Sequence, residues 1–208
     1  MQSTTYRLIE FILLFVGIPI SFALEFPIWI KMILGLLGFG YVVFVLLRIE
    51  KNQFKVSDCL NWKQFWKRTL LKLIGIAIVT TLYMSIFDSS NLYGVIRNKP
   101  MLWGVILFIY SLFSVYPQEL IYRTFFFQRY EGLFKSEVLF ILINAALFSL
   151  AHLFFRNALV MLLTFLGGIL FALTFKKTKS TLLVSIEHAI YGCWLFTVGM
   201  GEMLGFPQ

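Results

Sequence analysis

Apolar residues in this chain come in long runs separated by short polar connections. Seven runs lie roughly at Leu8–Leu24, Ile28–Leu47, Thr69–Phe87, Met101–Tyr122, Val138–Phe155, Ala158–Phe175 and Thr181–Leu204. Each is long enough, or nearly so, to cross a hydrocarbon core that takes about 20 helical residues. In lipid only helices and closed barrels satisfy the backbone. The pattern therefore predicts an all-α polytopic membrane protein, a single bundle of about seven transmembrane helices forming one domain over residues 1–208. Ser21-Phe22-Ala23 resembles a signal-peptide cleavage site, but Glu10 interrupts the apolar region and only Arg7 precedes it. The first run is expected to be a retained helix.

Composition points the same way. Hydrophobic residues make up 60% of 208 positions and charged residues 13%, against about 45–50% and about 25% in soluble chains. The mean hydropathy is +0.85. Too little polar material remains to cover such a chain in water, so lipid is its solvent.

The net charge of +8 raises the question of nucleic acid, and position answers it. The basic residues sit between apolar runs and form no basic-aromatic stacking surface, which excludes nucleic acid as a partner. The connection from Arg48 to Lys72 carries Arg48, Lys51, Lys55, Lys63, Lys67, Arg68 and Lys72. By parity Arg129, Lys135, Lys176, Lys177 and Lys179 share its side, leaving Lys31, Arg97, Lys99 and Arg156 opposite. The positive-inside rule then predicts a cytoplasmic N-terminus and an outside C-terminus in a plasma (inner) membrane. Asn61–Arg68, with Trp62, Phe65 and Trp66 among Lys63, Lys67 and Arg68, reads as an interfacial stretch on anionic membrane lipids. Glu10 and Lys31, near span ends, are expected to snorkel.

Ionisable groups inside a membrane are costly and are kept for a partner or a job. Here they concentrate in the C-terminal half as Glu119, Arg123, His152, Glu187 and His188, which include both histidines. Glu119 and Arg123 are four apart and share a helix face. Taken singly, each has a structural reading as an ion pair or a hydrogen-bonded core histidine. Together, on the fourth, fifth and seventh runs, they predict one polar cavity and a candidate functional site. Pro117 is expected to kink or restart its helix. Gly35, Gly38, Gly40, Gly167 and Gly168 are expected to permit close packing, and Asn144 to make a polar contact between helices. Cys59 and Cys193 offer neither a disulfide framework nor zinc-ligand spacing. A proton-coupled transporter would also use buried Glu and His, but predicts a two-fold pseudo-symmetry the chain does not show.

The order Gln118-Glu119-x-x-x-Arg123, Phe148-x-x-x-His152 and His188-x-x-x-Gly192 resembles the CAAX protease and bacteriocin-processing (CPBP, Abi) family of intramembrane endopeptidases. Their pattern is E-E-x-x-x-R, F-x-x-x-H and H-x-x-x-N. The motifs lie between about Tyr116 and Trp194, within a family-like core of about 101–204. The resemblance implies hydrolysis of a peptide bond in a membrane-associated peptide or protein, lipid-modified substrates included, by water activated by glutamate and histidine. It implies that His152 orients the water, that His188 donates to the oxyanion, and that Glu119 and Arg123 are the second glutamate and its arginine. No cofactor is required by that scheme.

Two positions depart from the pattern. Gln118 replaces the first glutamate, and an amide does not take up a proton at neutral pH. Gly192 replaces the asparagine and removes an oxyanion donor, a loss that costs about 2.7–4 kcal/mol. Three alternatives follow: Glu119 serves as base, Glu187 supplies the carboxylate, or the chain is a catalytically silent membrane binding or maturation partner. Zinc is the minority alternative, with Glu119, His152 and His188 as its ligands. No H-E-x-x-H supports it.

Overall fold

The computed structural model describes residues 3–52 and 60–205; Lys55 and Cys59 lie outside them. Among the described residues seven helices are long and apolar enough to cross a membrane: α1 (Thr4–Ala23), α2 (Ile28–Ile49), α3 (Trp62–Phe87), α4 (Pro100–Leu133), α5 (Glu137–Phe155), α6 (Ala158–Thr178) and α7 (Thr181–Val198). Among the described residues there is no strand. Large apolar side chains such as Ile28, Leu36, Ile86, Met101 and Phe113 are exposed on the outside. In water that surface would be prohibitive; in lipid it costs nothing, and the chain is an integral multi-pass membrane protein.

Five of these seven starts, all but those of α2 and α4, are set by a side chain that satisfies an otherwise orphan backbone N–H. Asn61 accepts from Gln64 N at 2.9 Å, Asn157 from Leu159 N at 2.9 Å, and Ser180 from Leu183 N at 3.3 Å. The Asn61 cap starts α3 at Trp62, so the stretch Asn61–Arg68 leads into the first turns of that helix, and Lys72 lies within it. α4 likewise runs past Tyr122 to Leu133, so Arg123 and Arg129 are both helical. α7 ends at Val198, capped by Gly199 at φ +108°.

Glu10 does not snorkel. Its Oε2 accepts from Arg129 Nε at 2.8 Å and Tyr130 OH at 2.9 Å, and its Oε1 from Arg129 Nη2 at 3.1 Å and from Tyr41 OH. Arg129 Nη1 also reaches Glu50 Oε1 at 2.9 Å. This cluster joins α1, α2 and α4 beside an aromatic core of Phe15, Phe125, Phe126, Tyr130 and Phe140. Lys31 also turns inward, donating to Phe22 O at 2.7 Å and so capping the C-terminal turn of α1.

α5 and α6 pack most closely. A Cβ on Gly168 would lie 2.9 Å from Ala145 Cα, so only glycine allows the two backbones to approach this far. At Gly38 a Cβ would lie 2.9 Å from Ile18 Cδ1, a side-chain tip that can shift, whereas Gly40 faces open space.

Candidate active site

α4 changes its winding twice near the site. Tyr110–Val115 and Leu120–Phe125 are π-helical, with an α-helical turn Tyr116–Glu119 between them. Pro117 has no N–H for the ladder, and the wider turn before it removes the need for one. The expected restart at Pro117 thus takes the form of a local change of pitch. Gln118 and Glu119, neighbours on that turn, point about 100° apart. Gln118 faces a cavity, and Glu119 faces the interior of the bundle.

Glu119 is fully buried. Its Oε1 lies 2.7 Å from His188 Nδ1 on α7, and its Oε2 lies 3.4 Å from Arg123 Nε, an ion pair without a hydrogen bond. Arg123, also fully buried, donates to Asn144 Oδ1 at 2.9 Å on α5 and to Gly168 O at 3.3 Å on α6. Its guanidinium carbon sits 4.8 Å from the Phe148 ring centroid. Asn144 donates in turn to Tyr122 O at 2.7 Å, the contact between helices expected of it. One arginine therefore clamps three helices and positions the carboxylate that holds His188.

The His188 ring is fixed on its faces and edges. It stacks on Phe171 at 4.3 Å and 22°, and meets Phe148 edge-on at 5.7 Å. Its Nε2 lies 3.1 Å from Tyr110 OH. His152, in the turn that ends α5, places Nδ1 2.8 Å from Phe148 O. A carbonyl only accepts, so that nitrogen carries the proton and Nε2 keeps its lone pair. The two imidazoles flank the same Phe148 ring.

Both line a cavity of about 760 Å³ with Tyr110, Ser114, Gln118 and Gly192. Its walls draw on all seven helices and are mainly apolar. Among the described residues no Asp or Glu lines it. Gln118 Nε2 donates to Ser114 Oγ at 2.8 Å, and its Oε1 is buried without a hydrogen-bond partner.

Glu187 sits apart from this group. Fully buried, it accepts from Lys72 Nζ at 2.7 Å and from Tyr191 OH at 2.7 Å, tying α7 to α3. Among the described residues no three His, Cys, Asp or Glu side chains are gathered as a metal would require, and Glu119, His152 and His188 form no such set. Cys193 is a free thiol 3.5 Å from Ser111 Oγ.

Sequence reasoning missed Tyr110 and Ser114. A signal was present: Tyr110, Ser114 and Gln118 recur every four residues within an apolar run, a polar stripe down one helix face.

No curated protein and no solved structure matches the chain. Residues 100–194 match a family model described as Rce1-like, type II CAAX prenyl endopeptidase Rce1-like. The match begins at the first residue of α4 and contains Gln118, Glu119, Arg123, His152, Glu187, His188 and Gly192. The part of the chain that carries the site, residues 100–194, is therefore similar to the Rce1-like type II CAAX prenyl endopeptidases.

Proposed function

We propose that the protein is an intramembrane endopeptidase that hydrolyses a peptide bond of a membrane-associated substrate, with His152 as the general base. The observation that carries this reading is the His152 ring itself. Phe148 O holds its Nδ1 proton, which leaves the Nε2 lone pair unprotonated in a residue that lines the cavity. Water attacks the peptide carbonyl carbon, His152 Nε2 takes the water proton, and the carbonyl π pair moves to oxygen. Collapse re-forms the carbonyl and breaks the C–N bond, and His152 returns the proton to the departing nitrogen. Glu119 acts through His188, which it orients. Glu187 takes no part, because it lies off the cavity wall with its Oε1 held by Lys72 and Tyr191. Gln118 holds the water or the peptide by hydrogen bonds. The mainly apolar walls suit a substrate with a lipid-modified end. The N-terminus is cytoplasmic and the C-terminus outside, as the lysine and arginine distribution implies.

A second reading has its own support. With glutamine at position 118 and no carboxylate on the cavity wall, the protein would bind such chains without cutting them. One assay separates the two: cleavage of prenylated and unmodified peptides by the purified protein in lipid vesicles, with His152→Ala and Gln118→Glu alongside. Cleavage by the parent that His152→Ala abolishes is the expected result. Cleavage that survives His152→Ala overturns the base assignment. A silent parent beside an active Gln118→Glu establishes the binding reading.

A further inference from the structure

We propose that Tyr110 is a further catalytic residue, whose hydroxyl donates to the oxyanion from the space that a side chain at position 192 would fill. A Cβ built on Gly192 would lie 2.0 Å from Tyr110 Oη, 2.4 Å from its Cε1 and 2.5 Å from its Cζ. Tyr110 and any side chain at 192 exclude one another. The glycine is thus a seat for the phenol as well as a missing donor.

The hydroxyl has a second fixed relationship. It lies 3.1 Å from His188 Nε2, while His188 Nδ1 lies 2.7 Å from Glu119 Oε1. With both ring nitrogens engaged, His188 has no N–H left for a substrate. The chain Glu119–His188–Tyr110 ends on the phenol, which lines the cavity together with His188. When His188 donates from both nitrogens, Tyr110 accepts from Nε2 and turns its own proton outward. Packing holds the ring for this: it meets Phe196 edge-on at 4.8 Å and 76°. Its place on a π-helical stretch of α4 agrees with the frequent use of such stretches at functional sites. The hydroxyl donates a hydrogen bond only, and no proton leaves the residue.

The inference rests on the peptidase reading for its chemistry, and its test is chosen to fail separately. Tyr110→Phe keeps the ring and removes the donor. Turnover in lipid vesicles should fall about 10²–10³-fold with KM unchanged. Affinity for a peptidyl phosphonate, which mimics the tetrahedral oxyanion, should fall with it, and affinity for the uncleaved peptide should hold. Gly192→Asn alone should impair the protein by steric conflict, and the double change Tyr110→Ala with Gly192→Asn should recover activity as the amide takes the vacated space. If Tyr110→Phe leaves phosphonate affinity unmoved, the assignment falls whether or not the parent cleaves. If the parent never cleaves but Tyr110→Phe still weakens phosphonate binding, the peptidase reading fails and the oxyanion donor stands.

Discussion

Arg129 and Arg123 lie in the same helix, and each is buried against a glutamate. Around Arg129, both oxygens of Glu10 are met twice, by the guanidinium and by Tyr41 and Tyr130, and Glu50 takes a further N–H. Around Arg123 the matching is incomplete: Arg123 Nε and Glu119 Oε2 face each other at 3.4 Å without a hydrogen bond. The remaining Glu119 oxygen goes to a histidine that lines a cavity. A closed cluster of this kind holds helices together. One that passes its polarity on through an imidazole to an open wall has something left for chemistry. The same residue pair thus serves two ends, and the third partner decides which.

That comparison breaks first at Arg129. Arg129→Ala leaves Glu10 and Glu50 facing each other across a vacated site, and it should cost about 3–5 kcal/mol of stability. Unfolding followed in lipid-detergent mixtures measures it, and cleavage per folded molecule should be retained. A variant as stable as the parent would show the cluster to be incidental.

Glu119→Gln sharpens the contrast. It removes the charge that Arg123 faces and the acceptor that orients His188, so turnover should drop at least about 10²-fold. The stability loss should be smaller than at Arg129, about 1–3 kcal/mol. Equal turnover losses for Glu119→Gln and Arg129→Ala, per folded molecule, would erase the distinction between the clusters.

The smallest effect is expected at Glu187→Gln. The amide still accepts from Tyr191, and Lys72 is partly exposed and readily solvated. Stability should fall by about 1 kcal/mol and turnover should stay at the parental level. A silent Glu187→Gln with intact folding would instead return Glu187 to the role of base.

The helices were legible because a spanning segment must be about 20 apolar residues long whatever it packs against. The expected ends failed where charge lies inside a helix. Arg129 read as a connection residue from its charge alone, yet it is satisfied by a glutamate distant in sequence. The candidate site was legible as a set of residue types, since ionisable groups in apolar runs stand out. Their division of labour was not. Glu187 adjoins His188 in the chain, but neighbours on a helix point about 100° apart, so it is Glu119, on another helix, that reaches the imidazole.

By itself, then, the sequence determined the solvent, the class of fold and the inventory of chemistry, because hydropathy and the cost of charge in lipid act on each segment independently. Tertiary structure alone decided which carboxylate meets which cation, that no acid lines the cavity, and that the Tyr110 hydroxyl occupies the space beside Gly192. Those outcomes depend on helix rotation and close approach, where a change of one residue in winding carries a side chain from the cavity into the core.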